Sequence, residues 1–263
     1  MAAPRRRRLC SVHEIRIAQP AMSFRRRATG LLLMVAAVLP AANAAVAPAQ
    51  RPLLLELFTS QGCSSCPPAD AVLRELAAQP DLLPLAFHVD YWNDLGWVDP
   101  YSAADFSARQ QGYADVHGFS VYTPQLVVDG HADVIGSSRG AVQQAIAAAR
   151  GQTRSATSSI VRSGGEVSLS VGAIPGATIS GTVYLLSFDS SDTTRIERGE
   201  NAGRTLSYVN VVRSLRRVAE WRNQPLSLTE RLQPEERGDR LALLVQDRAG
   251  TVWALASTPA AGR

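Results

Sequence analysis

Two cysteines separated by two residues, Cys63 and Cys66, stand where an apolar run ends and a helix-like stretch begins. The run at 53–58 is typical of a buried strand, and residues 67–79 have a spacing typical of a helix. Prolines at the start of this helix are tolerated, because the N–H groups of the first turn have no partner within the helix. A helix N-terminus stabilises the thiolate, which is the reactive form of cysteine. The order strand, Cys-x-x-Cys, helix therefore predicts a redox-active pair.

The first 44 residues have the features of an export signal preceded by an atypical extension. Residues 25–27 are three arginines, the apolar stretch 31–39 is too short to span a bilayer, and the Ala-Asn-Ala at 42–44 resembles a cleavage site. We expect 22–44 to be a signal peptide and 1–21 to be a mis-annotated extension, with an N-terminal membrane anchor as the alternative. The mature protein would be periplasmic or secreted, without a transmembrane span.

The basic character of the whole chain belongs to those 44 residues. The sequence has 27 basic and 23 acidic residues, a net charge of +4. Eight arginines and one glutamate lie before residue 45, which leaves 19 basic and 22 acidic residues and a net charge of −3. A weakly acidic mature chain gives no support for nucleic-acid binding, so we expect no nucleic-acid partner.

The cysteine pair has two other interpretations, an inert structural disulfide and half of a zinc site. Structural disulfides of secreted proteins usually join distant residues, because closing a long loop stabilises most, and a four-residue ring stabilises little. A zinc site needs further ligands, and no second Cys-x-x-Cys or paired histidine motif follows. The third cysteine, Cys10, lies in the segment expected to be removed.

The first half of the mature chain alternates strand-like and helix-like segments. The predicted segments are a strand at 53–58, a helix at 67–79, a strand at 82–90, a helix at 101–117, strands at 125–129 and 132–136 joined by an Asp-Gly turn, and a helix at 138–150. A right-handed crossover makes the first two strands parallel, with helices on both faces. We therefore predict an α/β domain over residues 52–151, in the order βαβ, helix, ββα.

The composition changes near Gly151, after which Ser, Thr, Val, Gly and Arg dominate in short alternating runs. This pattern is typical of a β-sandwich of about seven strands. The candidate strands lie at 166–171, 178–188, 206–212, 215–221, 240–246 and 251–256. We predict a mainly-β, sandwich-like domain over residues 155–263, and no catalytic motif is visible in it.

Two motifs of the first half resemble the active-site region of the thioredoxin fold. The segment 59–66, Thr-Ser-Gln-Gly-Cys-Ser-Ser-Cys, is similar to the active-site turn of thioredoxins and glutaredoxins. The segment 122–125, Tyr-Thr-Pro-Gln, follows the cysteines by about 58 residues and directly precedes a strand, an Asp-Gly turn and a second strand. Thioredoxin-like proteins carry a cis-proline there, facing the cysteines. The resemblance implies a cis bond between Thr123 and Pro124.

Over its mature length the chain resembles a narrower group, the exported bacterial thioredoxin-like proteins of domain-of-unknown-function family 1223. The residues that carry this resemblance lie at 56–70, 88–92, 122–125 and 198–204. The resemblance implies a thioredoxin-like fold and an exported location. It implies no particular reaction, so the chemistry must come from the residues.

The expected nucleophile is Cys63, because it precedes the helix and should be partly exposed, and Cys66 should be the resolving thiol. A cis-proline would place the backbone of Thr123 beside the disulfide, where an extended peptide could pair with it. We therefore expect Thr123 and Pro124 to bind substrate. The aromatic Trp92 could line the same groove or cover the end of the sheet.

An acidic residue, Glu56, interrupts the apolar strand seven residues before Cys63. Burying a lone carboxylate is costly and raises its pKa. Thioredoxin-like oxidoreductases often carry an acid on this strand that exchanges the proton of the second cysteine, although the spacing here is one residue longer. Two roles therefore stay open for Glu56, a catalytic proton relay and a hydrogen-bonded structural acid.

Two polar residues near the end of the second strand, His88 and Asp90, are expected to share one face. The carboxyl end of a strand in an open α/β sheet faces the functional site. These residues are therefore auxiliary candidates: His88 could stabilise a Cys63 thiolate or, with both sulfurs, bind a soft metal. A structural histidine with satisfied hydrogen bonds is the alternative.

The residues together predict an exported thiol–disulfide oxidoreductase that forms a mixed disulfide on Cys63, which Cys66 resolves. Its partners would be protein or small-molecule disulfides and a redox partner, and we expect no cofactor and no metal. Two alternatives stay open. One is a protein that binds copper(I) or another soft metal through both cysteines, with His88 as an optional further ligand, and the other is a redox-inactive interaction module.

Overall fold

The central strand of the fold is the apolar run that precedes the cysteines. The computed structural model describes residues 51–151, 155–236 and 238–259. The first half of this range forms, besides a 3-10 turn at Asn93–Leu95, the elements β1 (Leu53–Thr59), α1 (Pro67–Leu76), β2 (Leu82–His88), α2 (Ala104–His117), β3 (Gln125–Val128), β4 (Ala132–Ile135) and α3 (Arg139–Arg150). All residues of β1 and β2 are buried, as expected for strands covered on both faces. This is the predicted order of elements.

Strands and helices of the first half form three layers. Strand β1 pairs in parallel with β2, as predicted, and antiparallel with β3, which pairs antiparallel with β4. Helices α1 and α3 cover one face, where the buried apolar side chains include Leu55, Leu57, Ala69, Val72, Leu73, Val142 and Ile146. Helix α2 covers the other face, where they include Leu54, Phe58, Phe87, Phe106 and Tyr113. The predicted helices on both faces are confirmed.

Helix α2 begins three residues later than the sequence predicts, because Asp99 forms a turn in front of it. Its carboxylate accepts a hydrogen bond from the backbone N–H of Tyr101 (2.9 Å), and its carbonyl accepts one from the N–H of Ser102 (3.1 Å). The next residue, Ala103, is extended and is the N-cap of the helix. The turn leaves Asp99 buried beside the end of β2.

The described part of the second half forms seven strands. They are β5 (Ser158–Ser163), β6 (Glu166–Val171), β7 (Gly181–Arg195), β8 (Thr205–Trp221), β9 (Leu226–Arg231), β10 (Arg240–Gln246) and β11 (Val252–Ser257). Two strands predicted separately, 206–212 and 215–221, are parts of the single long strand β8. Its pairing with β7 shifts register between Ser187 and Phe188, so a bulge takes the place of the predicted break.

The two halves share one sheet, whereas the sequence predicts a separate sandwich-like domain. The eight-stranded mixed sheet has the order β11-β10-β7-β8-β2-β1-β3-β4. Strand β8 meets β2 at one parallel pair, Ala86 with Val211. Nearby, the side-chain amide of Asn210 donates a hydrogen bond to the carbonyl of Pro84 (2.7 Å), a residue that has no N–H to offer. A continuous sheet therefore crosses the predicted boundary between 52–151 and 155–263.

The remaining three strands form a small antiparallel sheet in the order β5-β6-β9. It lies against the part of the large sheet formed by β7, β10 and β11, and their shared core includes Ile160, Val167, Leu169, Val183, Leu185, Leu241, Leu243 and Ala254. The second half is thus mainly β, and two layers of sheet enclose its core.

None of the helices in the described residues is long and apolar enough to cross a membrane. The predicted signal peptide at 22–44, the predicted extension at 1–21 and Cys10 lie outside the described residues.

Candidate redox site

The cysteine pair lies at the N-terminal end of α1, and Cys66 is the N-cap of the helix. A disulfide joins Cys66 to Cys63. The carbonyl of Cys66 accepts the backbone N–H groups of Ala69 (2.8 Å) and Asp70 (3.1 Å), so Cys66 already belongs to the helical hydrogen-bond pattern. The prolines that follow fill the first two helical positions, as the sequence predicts. The local sequence therefore directs both sulfur atoms to the positive end of a helix dipole.

Both cysteines are buried, so the expectation that Cys63 is partly exposed is wrong. The exposed fraction is 1% for Cys63 and 0% for Cys66. The reason is the arrangement of segments around the Cys-x-x-Cys turn, among them residues 196–204, which join β7 to β8. We call these residues the strap.

The strap binds the backbone of the cysteine turn. The side-chain amide of Asn201 donates hydrogen bonds to the carbonyls of Gln61 (3.0 Å) and Cys63 (2.9 Å). The backbone N–H of Ser64 donates to the carboxylate of Glu200 (3.0 Å). Hydrogen bonds from Ser64 hold the pKa of Glu200 below its usual value. The strap therefore occupies backbone groups on either side of Cys63.

Aromatic residues approach the same turn from the segment after β2. A Cβ atom on Gly62 would lie 3.0 Å from the Cβ of Trp92, so the turn and this tryptophan are in close contact. The indole N–H of Trp97 donates to the side-chain oxygen of Gln61 (2.9 Å). Two tryptophans thus surround the residues that precede Cys63.

The residues expected to bind substrate are brought together. The indole N–H of Trp92 donates to the hydroxyl of Thr123 (2.9 Å), and the peptide bond between Thr123 and Pro124 is cis, as predicted. The carbonyl of Pro124 accepts the backbone N–H of Gly136 (3.0 Å). Since Trp92 also touches Gly62, these contacts connect Thr123 to the cysteine turn.

The acid on the central strand, Glu56, points to the face of the sheet that α2 covers, away from α1 and the cysteines. There it binds Arg109 of α2. The guanidinium donates from Nε (2.5 Å) and Nη2 (3.0 Å), and the hydroxyl of Tyr113 donates to the same carboxylate. Burial lowers the pKa of Arg109, but the charge and hydrogen bonds of Glu56, together with Tyr113 and Tyr184, outweigh burial and raise that pKa above its ordinary value. Of the two roles open for Glu56, these contacts match the hydrogen-bonded structural acid.

The imidazole of His88 is fully buried and binds Asp99 rather than Asp90. Its Nδ1 lies 2.7 Å from the Oδ2 of Asp99, whereas Asp90 lies past the end of β2 and accepts the hydroxyl of Ser107 (2.5 Å). The His88 ring makes T-shaped contacts with the rings of Tyr101 and Tyr208, at centroid distances of 5.3 and 4.9 Å. The structure thus pairs His88 with an acid eleven residues away, and Asp90 is not its partner.

The carboxylate of Asp99 is held in its charged form. Burial raises its pKa, but the charge of His88, its hydrogen bond and the backbone N–H groups of Gln61 and Tyr101 outweigh burial and hold the pKa below its usual value. The Gln61 N–H donates to it at 2.8 Å. Asp99 therefore connects the histidine to the residues just before Cys63.

A further buried acid, Asp70, lies four residues after Cys66 on the same helix face. It accepts a hydrogen bond from the hydroxyl of Thr59 (2.9 Å). Burial raises the pKa of Asp70 to about 6, although the charge of His88 and the bond from Thr59 act in the opposite direction. Asp70 is not among the residues predicted for the site, although its spacing of four from a helical cysteine is a signal that points to it.

Other residues of the site had no comparable signal. Asn201 and Tyr208 come from the second half, more than 130 residues beyond the cysteines, and only the sheet that joins the halves brings them there. Within the described ranges, no three His, Cys, Asp or Glu side chains are grouped so as to hold a metal ion.

Comparison with known proteins places the chain in a family. A crystal structure of protein AGR_C_4864 from Agrobacterium tumefaciens is similar to it, with 31% sequence identity and a TM-score of 0.66 over 81% of this chain and 95% of that chain. HBP35 of Porphyromonas gingivalis has a TM-score of 0.55 at 12% identity over 80% of this chain and 75% of that chain, and this likeness shows the fold alone. No curated protein matches the chain. Residues 54–246 match the family described as "Protein of unknown function (DUF1223)", and the chain belongs to this family.

Proposed function

We propose that this protein is an exported thiol–disulfide oxidoreductase. The observation that carries the proposal is the disulfide between Cys63 and Cys66 at the N-terminal end of α1, beside buried ionisable groups. Such a position favours exchange between disulfide and dithiol, because the free N–H groups of the helix stabilise a thiolate. The substrates would be protein or small-molecule disulfides, and the reaction needs no cofactor.

The arrangement of the first half supports a thioredoxin-like architecture. Parallel β1 and β2, antiparallel β3 and β4, and helices on both faces form the pattern that the cysteine motif led us to expect. The strands of the second half would then be an addition at the β2 edge of that sheet. Their contribution to function is the strap, which reaches the cysteine turn.

The proposed mechanism uses the two cysteines in sequence. In the reduced protein, the Cys63 thiolate attacks a substrate disulfide, one substrate sulfur leaves as thiolate, and a mixed disulfide forms on Cys63. The Cys66 thiolate then attacks the sulfur of Cys63, the bond to the substrate breaks, and the second substrate thiolate leaves. The protein is oxidised by two electrons and the substrate disulfide is reduced to two thiols. The reverse sequence oxidises a substrate dithiol.

Substrate binding is proposed for the residues that line the turn. Thr123 and Pro124 belong to the segment before β3, and Trp92 links Thr123 to Gly62. An extended peptide that pairs with the backbone at Thr123 would place its own sulfur near Cys63. Because the strap covers backbone groups beside Cys63, a peptide substrate must first displace it.

An exported location completes the proposal. The three arginines at 25–27, the apolar stretch at 31–39 and the Ala-Asn-Ala at 42–44 support cleavage after residue 44. A disulfide that forms and persists also fits an oxidising compartment. Fractionation of cells that express the full chain should place a protein starting at residue 45 in the periplasm or medium, and an uncleaved cytoplasmic product would contradict this part.

The test of the proposed reaction is the reduction potential of the cysteine pair. Protein starting at residue 45 is equilibrated in glutathione buffers, alkylated and weighed. A potential near about −180 mV would identify an oxidase or isomerase, and one near about −270 mV would identify a reductase that needs an electron donor.

Two variants provide the controls. Cys63→Ser should abolish exchange with a disulfide substrate, and Cys66→Ser should accumulate a mixed disulfide that mass spectrometry detects. A Cys63→Ser protein that keeps turnover, or a native pair that never exchanges with glutathione, would overturn the proposal.

A further inference from the structure

The face of the sheet under α1 carries a buried acid–base cluster next to Cys66. In the parallel pair of β1 and β2, Thr59 lies opposite His88, so both side chains point to the same face. Thr59 donates its hydroxyl to Asp70 of α1, which fixes that face as the one that α1 covers. Asp70 and Cys66 are four residues apart on one helix and lie one above the other. The acid–base cluster therefore consists of Asp70, Thr59 and His88, together with Tyr208, whose ring contacts that of His88.

Two atoms of this cluster are buried without a hydrogen-bond partner, which is rare in folded proteins. They are Nε2 of His88 and the hydroxyl oxygen of Tyr208. Since Nδ1 of His88 is bound by Asp99, Nε2 is the atom left over, and the two rings are in edge contact at 4.9 Å. Burial and the charges of Asp70 and Asp99 raise the pKa of Tyr208, so its hydroxyl stays neutral.

The groups around Asp70 bring its pKa close to neutral pH, where the carboxyl group can both accept and release a proton. Burial disfavours its carboxylate, His88 and Arg74 favour it, and Asp99 disfavours it. Asp70 has an exposed fraction of 6% and lines a cleft of about 270 Å³ with Arg74 and Arg204. A proton on Asp70 therefore has a route to water, while the carboxyl group stays inside the protein.

We propose that Asp70 is the group that exchanges a proton with the thiol of Cys66 when the disulfide forms and breaks, and that His88, oriented by Asp99, is a positioning residue for it. This inference rests on the proposed oxidoreductase function and deepens it. It replaces Glu56, whose carboxylate is bound by Arg109 and Tyr113 on the other face of the sheet, as the acid of the reaction.

In this step a proton moves from Cys66 to Asp70 and an electron pair leaves with the substrate sulfur. In the mixed disulfide, the Cys66 thiol gives its proton to the carboxylate of Asp70. The resulting thiolate attacks the sulfur of Cys63, and the bond between Cys63 and the substrate breaks. The substrate sulfur leaves with the electron pair and takes a proton from water, while Asp70 returns its proton to the cleft. When a substrate dithiol reduces the protein, Asp70 instead protonates the leaving Cys66 thiolate.

A single-turnover reaction with the small aromatic disulfide DTNB separates the two cysteine steps. Reduced protein releases one coloured thiolate when Cys63 attacks and a second when Cys66 resolves the mixed disulfide. In the wild type the second phase should level off above about pH 6, where Asp70 is ionised. In Asp70→Asn the second phase should depend on free thiolate, which is a few per cent of a thiol with pKa about 8.5 at pH 7, so it should slow by about thirtyfold there. The first phase should keep its rate.

Matched variants make the result specific. Glu75→Gln removes an exposed carboxylate of the same helix, one that pairs with Arg139, and should leave both phases unchanged. Cys66→Ser should show only the first phase. A second phase in Asp70→Asn with the wild-type rate and pH profile, or a slowed second phase in Glu56→Gln, would overturn the inference. A wild type that releases no thiolate would instead overturn the proposed function.

A measurement on the wild type covers the case in which Asp70→Asn does not fold. Isotope-edited infrared spectroscopy of aspartate-labelled protein follows the carboxyl stretch that belongs to Asp70. We expect this band to titrate near pH 6 in the oxidised protein and to shift its midpoint when the disulfide is reduced. A midpoint that does not change with the redox state would overturn the inference.

Discussion

Three buried carboxyl groups near the central strands are stabilised in three different ways. Glu56 is bound by the guanidinium of Arg109, and Asp99 is bound by His88 and by backbone N–H groups. Asp70 has the hydroxyl of Thr59 as its hydrogen-bond partner, so burial dominates and its pKa rises to about 6. The proposed exchange needs a carboxyl group that can change its protonation near neutral pH, and the pKa of Asp70 approaches that range.

Replacement of Glu56 by glutamine should destabilise the fold without changing the redox chemistry. The substitution leaves the buried charge of Arg109 without its counter-charge, which costs on the order of 3–5 kcal/mol. We expect a large fall in the free energy of unfolding measured in urea at pH 7, and an unchanged reduction potential.

The matched control for this prediction is Glu75→Gln. It breaks an ion pair with Arg139 on the surface, where both side chains are more than half exposed, so stability should hardly change. Equal losses of stability in the two variants, or a changed potential in Glu56→Gln, would contradict the structural role assigned to Glu56.

The raised pKa of Asp70 predicts a specific dependence of stability on pH. The folded protein keeps this proton up to about pH 6, while the unfolded chain releases it near the ordinary value of 3.8. Between these values the folded state binds more protons, so the contribution of Asp70 to stability is complete below pH 4 and is lost as the pH rises through 6. Over the whole interval the loss amounts to about 3 kcal/mol.

The variant Asp70→Asn isolates this effect, because an amide does not titrate. From pH 4 to pH 8 its free energy of unfolding should rise relative to that of the wild type by up to about 3 kcal/mol. Denaturant titrations of both proteins at the two pH values measure it. The same difference in stability at pH 4 and at pH 8 would contradict a raised pKa.

Part of the site follows from local sequence. The pair of cysteines, the helix they precede and the cis Thr123–Pro124 bond could be predicted, because each depends on neighbours in the chain or on a recognisable motif. The partner of Glu56 could not be predicted. Arg109 is 53 residues away, and the sequence does not show which side of its helix packs on the sheet. Strand periodicity predicted that His88 and Asp90 share one face, but β2 ends at His88, and the residue that binds its Nδ1 is Asp99.

At the scale of elements, the strap binds backbone groups on either side of Cys63. It is the connection between β7 and β8, two strands of 15 and 17 residues that extend from the second half to the cysteine turn. The glycine at 199 has a φ of +79° and passes the side chain of Trp97, where a Cβ atom would lie 3.2 Å from the Cβ of the tryptophan. The strap is thus fitted closely to the aromatic segment as well as to the cysteine turn.

Replacement of Asn201 by alanine should open the strap. It removes two hydrogen bonds to backbone carbonyls beside Cys63, each of about 1 kcal/mol, so the open population should rise by roughly tenfold to thirtyfold. We expect the alkylation of reduced Cys63 by iodoacetamide, measured in a Cys66→Ser background, to accelerate by a similar factor.

Glu197→Gln is the control for the strap. It changes an exposed carboxylate of the same segment and should leave the alkylation rate as it was. If Asn201→Ala and the control react at the same rate, the strap does not limit access to Cys63.

The elements missed by the sequence analysis are the ones with weak patterns. Strand β5 has one buried residue in six, and β9 has half-buried residues alternating with exposed ones but none that is buried, so neither has a strong apolar pattern. They become strands because both pair with β6, which was predicted. Strands with a strong local pattern could thus be predicted. Strands that form because they pair with a neighbouring strand could not.

At the scale of the whole molecule, the two halves are joined by more than the sheet. Arg51 binds Asp129 and the carbonyl of Val252, and Gln246 binds Tyr113 and Arg109 of α2. These bonds connect the first half to β10 and β11. These bonds could not be predicted from the sequence. A change of composition shows where one kind of segment gives way to another, but it does not show which strands lie side by side in a sheet.

The shared sheet predicts that the described chain unfolds as one unit. Residues 51–151 alone would expose the β2 edge that meets β8, and they would leave Arg109 without Gln246 and Arg51 without the carbonyl of Val252. We expect this fragment to lack a cooperative thermal transition. The chain from residue 45 should show a single transition that coincides by circular dichroism and tryptophan fluorescence.

Separate transitions for the two probes, or a fragment 51–151 with the native spectrum and a cooperative transition of its own, would contradict a single folding unit. The fragment result would then restore the two-domain organisation that composition alone suggests.

The strap also separates two properties that enzymes often encode in the same residues. In the proposed reaction, the reactivity of the sulfur atoms would depend on α1 and the acid–base cluster, whereas their accessibility would depend on a hairpin tip more than 130 residues further along the chain. Insertions, deletions or substitutions in that tip can widen or narrow the range of molecules admitted while the chemistry stays constant. Selectivity can therefore diversify in this architecture without any change to the cysteines, their helix or the strand that precedes them.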